Sequence, residues 1–435
     1  GGGGREHGAR MPRPGETAGL QRGSIAPFPS TYDPLRNVKK GTDYVTYSGD
    51  IAAQAEALAA DEPSWRAEHA QLHGASGPAR LALFSPSKIN LFLRVTERRE
   101  DGFHDLASLF HAIALGDALE VMAIDGDEDR LVANTPDVPT DDTNLVLRAF
   151  ALYREKTGAE QRFAANLTKV VPTGAGLGGG SANGATALWA ANEMCGRLAS
   201  EAQLLEWSAE IGSDCPFFFS AGAAYVTGRG DLVEDVEPPL SLATPLLLVK
   251  PPESCPTPAI FKGLGLAPGE RPQGADPEEL MARLRTEGAS DELCVNDLEP
   301  PALDVVPRIR QIKEDLARMA EAEGRPYDAV FMSGSGSTVV AMGRDDAPEA
   351  FLLDPQNADL FISPTRLISR EAGKWFEPAD VEKDAREAPP EWSEEAFFRK
   401  HADKDWMWAD ADSSRVQTYP LRDYDTSDRP ESPDM

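Results

Sequence analysis

Residues 172–183 read PTGAGLGGGSAN, and they join an apolar segment to a segment with helical periodicity. The apolar residues 165–171 are predicted to form a strand, and residues 183–195 are predicted to form a helix. Because glycines have no side chains, backbone N–H groups at the start of such a helix can approach an anion closely. The stretch therefore predicts a phosphate-binding loop between a strand and a helix.

Two other glycine-rich patterns are weaker matches. Gly174, Gly176 and Gly179 fit GxGxxG, which also occurs in dinucleotide-binding folds. Those folds place an acid on the following strand, whereas the segment from Ser200 has helical periodicity. No Gly-Lys-Ser/Thr follows the loop, so it is not a Walker-type P-loop. A plain glycine-rich linker is disfavoured, because linkers seldom run directly from an apolar strand into an amphipathic helix.

Chain length, net charge and cysteine spacing limit the classes of protein to which this sequence can belong. The chain has 435 residues, more than one hydrophobic core usually supports, so two domains with a cleft are expected. Its formal net charge is −29, which repels nucleic-acid backbones and anionic lipid surfaces. An anionic substrate would therefore need a locally basic pocket. The cysteines form no C-x-x-C pair, so neither a zinc site nor a disulfide framework is indicated.

Mixed strands and helices predict an α+β fold, with a first domain at residues 81–243 and a second at residues 244–370. Short strands are predicted where Pro86 and Gly116 bound apolar runs. Residues 1–80 are rich in Gly, Pro, Ser and Ala and begin with an excess of arginine, so we expect a disordered leader that resembles an organelle transit peptide. Residues 371–435 are acidic and are predicted to be a largely disordered tail.

Three segments in order resemble the motifs of the GHMP kinases, the galactose, homoserine, mevalonate and phosphomevalonate kinase superfamily. They are SPSKINLFL at residues 85–93, the glycine loop, and MSGSGST at residues 332–338. The resemblance implies a two-domain GHMP kinase fold with ATP and substrate in a cleft between the domains, and Mg²⁺ bridging the phosphates. The ATP-binding residues that it implies are Pro172, Gly174, Gly176, Leu177, Gly178, Gly179, Gly180, Ser181, Ser333, Gly334, Ser335 and Gly336.

Other segments are similar to one family within the superfamily. DGFH at 101–104, IGSDCPF at 211–217 and PTPAIFK at 256–262 resemble the kinases that phosphorylate 4-diphosphocytidyl-2-C-methylerythritol in the non-mevalonate isoprenoid pathway. VNDLE at 295–299 and FISPTRLISRE at 361–371 are more like the plant and algal plastid form. The resemblance implies a soluble enzyme of the chloroplast stroma that makes terpenoid precursors, either a monomer or a homodimer.

The same resemblance implies that Asp214 takes the proton of the substrate 2-hydroxyl and that Lys88 lies beside it. Chemistry agrees, because an alcohol becomes a good nucleophile when a positioned carboxylate accepts its proton. A neighbouring ammonium keeps that carboxylate ionised. Asp214 is the only acid in the apolar-flanked residues 211–219, so we expect a buried carboxylate. Ser181 is a candidate contact for Mg²⁺ or phosphate, and no carboxylate ligand is assigned.

Recognition of cytosine is implied for a second group of residues. Phe103 and Phe261 would stack on the base, His104 would bond its edge, and Asn90 and Thr257 would lie nearby. Phe103 replaces a tyrosine that is frequent in the family, so stacking is kept and a phenolic hydrogen bond is lost.

Two alternatives remain open. One is another GHMP kinase, of the homoserine or mevalonate type, with a substrate that lacks cytidine; the set around Phe103 and Phe261 disfavours it. The other is a non-catalytic ligand sensor on the same fold, which the presence of Lys88 and Asp214 disfavours.

Overall fold

The computed structural model describes residues 80–371 and 373–376 of the chain, which form two β-sheets with helices. The α+β class predicted from the sequence is confirmed. The predicted leader, apart from Arg80, and most of the predicted acidic tail lie outside the described residues. In the described residues, no helix combines the length and the apolar character needed to cross a membrane.

The first sheet contains six strands in the order β3-β4-β2-β5-β6, with β1 also paired to β2. Its strands are β1 Arg80–Arg98, β2 His104–Ile124, β3 Arg130–Ala133, β4 Arg162–Thr168, β5 Ala223–Thr227 and β6 Leu232–Asp235. β1 and β2 form one long antiparallel pair, and only β3 and β4 pair in parallel. The short strands that were predicted on either side of Pro86 are one strand, because a shift of register between Pro86 and Ser87 absorbs the missing N–H of proline.

Both faces of the first sheet are buried. Phe110 and Ala112 of β2 belong to the core formed with α1 (Leu145–Thr157) and α2 (Gly179–Met194). Leu109 and Ile113 of the same strand face the other way, into the core shared with the second sheet. Burial on both faces explains why these strands are almost continuously apolar and do not alternate.

The second sheet is antiparallel, in the order β10-β7-β9-β8. Its strands are β7 Pro245–Lys250, β8 Ala329–Met332, β9 Val339–Met342 and β10 Phe361–Arg366. Its outer face is covered by α7 (Arg308–Ala322), which buries Ile309, Ile312 and Leu316 at helical spacing. The layers are therefore helices, first sheet, second sheet and helix.

Smaller elements complete the described part of the chain. They are α3 Glu201–Ser208, α4 Thr257–Gly263, α5 Pro277–Glu287, α6 Glu299–Val305 and α8 Glu349–Leu353, with 3-10 turns at Pro216–Phe219 and Pro355–Asn357. The division predicted between residues 243 and 244 falls between β6 and β7, and it stays a prediction.

After β10 the chain returns to the first sheet. The backbone N–H of Ile368 donates to the carbonyl of Ala112 at 3.0 Å, and the indole N–H of Trp375 donates to the carbonyl of Phe84 at 3.1 Å. Trp375 and Phe376 are each 2% exposed and belong to the core around α1 and α2. This corrects the boundary predicted at residue 370: the segment predicted as tail begins with core residues.

Candidate active site

The glycine loop connects β4 to α2, as the sequence predicts, and its backbone requires glycine. Gly174, Gly176 and Gly178 have φ of 60°, 74° and 68°, in the left-handed region that other residues avoid. A Cβ atom at Gly176 would lie 2.3 Å from the carbonyl oxygen of Ser333. α2 starts directly after Gly178, so the free N–H groups of its first turn point towards the loop. This geometry suits an anion such as phosphate.

The turn between β8 and β9 supports the glycine loop from the second sheet. Ser333 is fully buried, its hydroxyl donates to the carbonyl of Gly176 at 3.3 Å, and it accepts from the backbone N–H of Asn90 at 3.2 Å. The Ser333 side chain therefore lies beneath the loop and does not line the cavity, and its predicted contact with ATP stays a prediction. Gly334 and Ser335 of the same turn do face the cavity beside the loop.

Asn296 holds this turn and was not predicted. Its side-chain amide donates to the carbonyls of Met332 and Gly334, at 2.8 Å each, and its side-chain oxygen accepts from the backbone N–H of Leu298. Both N–H donors of the amide are thus used to fix the backbone of the turn, and the oxygen ties Asn296 to the residue before α6. The sequence signal was available in the VNDLE segment at residues 295–299.

A cavity of about 570 Å³ opens beside the loop. Its lining includes most of the predicted ATP-binding residues, namely Pro172, Gly174, Gly176, Leu177, Gly178, Gly179, Gly180, Ser181, Gly334, Ser335 and Gly336. Residues 137–139 and 143–145, before and at the start of α1, line it as well, together with Lys169. Sequence reasoning missed this wall, because an irregular loop carries no periodic signal.

Lys88 and Asp214 meet at this cavity. Lys88 lies in β1 and Asp214 lies in the turn before Pro216–Phe219, and Nζ is 3.5 Å from Oδ2. The Lys88 side chain is 4% exposed and that of Asp214 is 31% exposed. The expectation that the Asp214 carboxylate is buried is therefore wrong. The ammonium is the buried member of the pair, and the carboxylate faces the cavity.

Other groups hold the Lys88 ammonium in place. Nζ donates to the side-chain oxygen of Asn90 at 2.7 Å and lies 4.4 Å from the centroid of the Phe110 ring. Burial lowers the pKa of Lys88, and the charge of Asp214 opposes that shift. Next to Asp214, burial raises the pKa of the Cys215 thiol to about 12, so this thiol stays protonated and is a poor nucleophile.

The predicted cytosine residues form a second cavity of about 600 Å³. The rings of His104 and Phe261 are in contact, with centroids 5.1 Å apart and planes tilted by 33°. Phe103 is 56% exposed at the rim, and Thr257 also lines the cavity and shares a hydrogen bond of 2.9 Å with Ser335. Burial and the charge of Arg98 lower the pKa of His104, so its ring is neutral near pH 7. Asn90 does not lie in this cavity; it is beside Lys88.

The two cavities are continuous. Five residues line both of them: Leu106, Ser213, Arg229, Thr257 and Phe261. A single elongated molecule can therefore place an aromatic group against Phe261 and reach Asp214 with its other end. Arg229 was missed, since no sequence pattern separates it from an ordinary surface arginine.

No described residues group three His, Cys, Asp or Glu side chains around a potential metal position. The Ser181 hydroxyl lines the first cavity at the start of α2, and the carboxylate of Asp214 faces the same space. Mg²⁺ in kinases usually keeps several waters and takes few ligands from the protein, because the phosphates of the nucleotide supply most of the rest. These two oxygen-bearing residues fit a metal that is bound mainly through nucleotide phosphates.

Comparisons with known proteins agree with this geometry. The model of the GHMP kinases N terminal domain matches residues 144–222. The chloroplastic 4-diphosphocytidyl-2-C-methyl-D-erythritol kinase of Oryza sativa subsp. japonica is 50% identical over 324 residues, which cover 74% of this chain and 79% of that protein. The enzyme of the same name from Protochlamydia amoebophila is 40% identical, over 68% of this chain and 93% of that protein.

A solved structure is also similar. It is a crystal structure of 4-(cytidine 5'-diphospho)-2C-methyl-D-erythritol kinase, 27% identical, with a TM-score of 0.50. The match covers 66% of this chain and 99% of the solved one.

Proposed function

Because this chain belongs to the 4-diphosphocytidyl-2-C-methyl-D-erythritol kinases, a family of the GHMP kinases, we propose that it phosphorylates the 2-hydroxyl of 4-diphosphocytidyl-2-C-methyl-D-erythritol with ATP. One observation supports this proposal most directly. The Lys88–Asp214 pair lies in the cavity beside the glycine loop, and that cavity continues into the one formed by His104 and Phe261. The phosphate donor, the acceptor hydroxyl and the cytosine would thus each face cavity residues of suitable chemistry.

The glycine loop and the first turn of α2 would bind the ATP phosphates. Their backbone N–H groups are donors, and the positive end of the helix dipole favours anions. Gly176 leaves no room for a side chain, so the loop and the turn at Gly334 present a fixed backbone surface. Such a preorganised set of donors lowers the cost of binding charge that develops during phosphoryl transfer.

Asp214 would accept the proton of the 2-hydroxyl as its oxygen attacks the γ-phosphorus. The bond to the β-γ bridging oxygen breaks in the same displacement, and ADP leaves with that electron pair. Lys88 lies beside Asp214, and Asn90 and Phe110 keep its ammonium in one position. When bound, Mg²⁺ would neutralise charge on the phosphate oxygens, with Ser181 as a candidate ligand.

His104 and Phe261 would hold the cytosine ring, with Phe103 closing the rim. Stacking of a base on an aromatic side chain contributes about 1–3 kcal/mol by alanine substitution. A neutral His104 can offer a donor and an acceptor to the base edge.

We also propose that the enzyme acts in the plastid, in the non-mevalonate synthesis of isoprenoid precursors. The relatives from Oryza sativa and Arabidopsis thaliana, each 50% identical, are named chloroplastic. Residues 1–80 fused to a fluorescent protein should direct it into plastids of plant protoplasts, and cytosolic fluorescence would contradict this location.

The activity can be tested with the purified chain and ATP. ADP release should depend on 4-diphosphocytidyl-2-C-methyl-D-erythritol, and homoserine or mevalonate should not replace it. Phosphorus NMR of the product should place the new phosphate on the 2-hydroxyl. Turnover with homoserine or mevalonate alone would indicate another GHMP kinase, and binding of the cytidine compound without ADP release would indicate a sensor.

A further inference from the structure

The junction of the two cavities contains one charged residue. Of the five residues that line both cavities, four are uncharged, and the fifth is Arg229 in the hairpin between β5 and β6. Here the cavity of the glycine loop, which Asp214 lines, meets the second cavity, which contains His104 and Phe261; we call the second the aromatic cavity. Any substrate that touches both sides must pass this guanidinium.

We propose that Arg229 binds the diphosphate group of the substrate and makes the enzyme selective for diphosphate-linked cytidine. The inference rests on the proposed function and adds to it the residue that reads the middle of the substrate. In a diphosphocytidyl sugar alcohol, the groups follow the order cytosine, diphosphate, hydroxyl. The walls of the joined cavities follow the same order, with Phe261, Arg229 and Asp214.

The hairpin places Arg229 between these walls. A Cβ atom at the next residue, Gly230, would lie 3.8 Å from Oδ1 of Asp214. In the other direction, the guanidinium lies 5.4 Å from the centroid of the Phe103 ring. Gly228 and Gly230 have φ of 66° and 97°, which lets the chain turn sharply on both sides of Arg229.

The guanidinium is oriented and still available. The carboxylate of Asp231 accepts from the backbone N–H of Arg229 at 3.0 Å and from its side chain at 3.2 Å. In the described part of the chain, the Arg229 side chain makes no other hydrogen bond. The Arg229 side chain is 49% exposed, and exposed ion pairs of this kind contribute little to stability, so a doubly charged diphosphate can compete for it. A planar guanidinium also matches phosphate oxygens in pairs.

The other cations of the two cavities are placed less well for this task. Lys88 and Lys169 line only the cavity of the glycine loop, and Arg98 and Lys262 line only the aromatic cavity. Arg98 also donates to the carbonyl of Leu266. The chain has a net charge of −29, which repels anions. An anionic ligand therefore needs a cation close to its binding position.

The test uses calorimetric titration of the full chain with cytidine, CMP and CDP. A non-hydrolysable ATP analogue is kept at saturation, so that CDP cannot report on the glycine loop. In the wild type, affinity should rise from cytidine to CDP. Arg229→Gln should weaken CDP binding about 10-fold to 100-fold, the range for a lost charge-assisted hydrogen bond, and leave cytidine within about 2-fold. Arg229→Lys should fall between, because it keeps the charge without the planar fork.

Arg271→Gln is the matched control, since it removes one positive charge at a side chain that is 77% exposed and lines neither cavity. Arg271→Gln should leave the affinities for cytidine and CDP unchanged. In turnover assays, Arg229→Gln should raise KM for the diphosphocytidyl substrate by a similar factor and leave KM for ATP within about 2-fold. Equal melting temperatures of the three proteins would establish that the fold is intact.

Four outcomes would overturn the inference. One is an equal loss for cytidine and CDP in Arg229→Gln, and another is a CDP preference that survives this change but disappears in Lys262→Gln. The third, a wild type that binds no cytidine compound, would overturn the proposed function as well. Wild-type activity on the diphosphocytidyl substrate with an unaffected Arg229→Gln would remove the role of Arg229 alone.

Discussion

The ammonium of Lys88 lies 3.5 Å from the carboxylate of Asp214, and the carboxylate is the more exposed of the two groups that line the cavity. A buried cation on one side of a partly exposed carboxylate holds it in position and leaves its other face free for a substrate hydroxyl. The Asp214 carboxylate is therefore placed to act as a general base towards a hydroxyl bound in the cavity.

Asp214→Asn should reduce kcat by about 10²–10⁴, because an amide cannot accept the hydroxyl proton. The change preserves shape, so the melting temperature and the affinity for ATP should stay close to those of the wild type. Steady-state kinetics and calorimetry would measure both. Near-normal turnover would remove Asp214 as the base and leave positioning and Mg²⁺ to explain the rate.

Lys88→Met should also reduce kcat, and the losses in the double variant with Asp214→Asn should be less than additive. Residues that act as one unit lose their joint function when either is removed. A double-variant cycle of kcat values measures this coupling. Fully additive losses would mean that Lys88 and Asp214 act separately.

As pH rises, kcat/KM should begin to decline at a pH below the pKa of an ordinary lysine side chain. Burial lowers the pKa of Lys88, so as pH rises the ammonium loses its proton early and its ion pair with Asp214, which holds the carboxylate in position, is lost. The pH profile of kcat/KM in the wild type should show this limb, and Lys88→Met should lack it. An identical alkaline limb in both proteins would assign the titration to another group.

Phe261→Ala and His104→Ala should chiefly raise KM for the cytidine substrate. Loss of a stacking face or of a base-edge partner costs about 1–3 kcal/mol, which corresponds to roughly 5-fold to 150-fold in KM. KM for ATP should change little, because His104 lines only the second cavity and Phe261 is one of the five residues at the junction of the two cavities, away from the glycine loop. If both variants mainly lost affinity for ATP, the cytosine assignment would be wrong.

Truncation after Arg370 should destabilise the protein, contrary to the harmless tail that composition suggests. It removes Trp375 and Phe376, which are each 2% exposed in the core around α1 and α2. Removing one buried aromatic side chain costs about 3–5 kcal/mol. Truncation after Phe376 is the matched control and should unfold in urea like the full chain. Equal unfolding midpoints for both truncations would contradict the packing.

The general architecture and the catalytic centre were readable from the sequence, for a physical reason. A glycine loop between an apolar strand and a helix is local in the chain, as are the segments that carry Lys88, Asp214 and Phe261. Spacing alone therefore predicts the secondary structure and the phosphate-binding loop. The roles of Lys88, Asp214 and Phe261 come from the resemblance of their segments to the motifs of the family, and they stay predictions.

The parts that were missed depend on contacts between distant segments. Ser333 is hidden because a loop more than a hundred residues earlier in the chain covers it. The burial of Trp375 depends on Phe84, at the opposite end of the described chain. The exposed fraction of Asp214 depends on a cavity that several segments, distant in the chain, enclose. Local sequence holds no signal for such long-range burial.

The return of the chain from β10 to the first sheet has a mechanical consequence. Besides the connection between β6 and β7, residues 367–371 and 373–376 return to the first sheet, where they bond to Ala112, Ser220 and Phe84. The two sheets are joined by these two connections and by an apolar core that contains Leu109, Ile113, Leu246 and Leu248. Rotating one sheet away from the other would expose that core to water, so the joint resists opening and keeps the glycine loop aligned with the turn at Gly334.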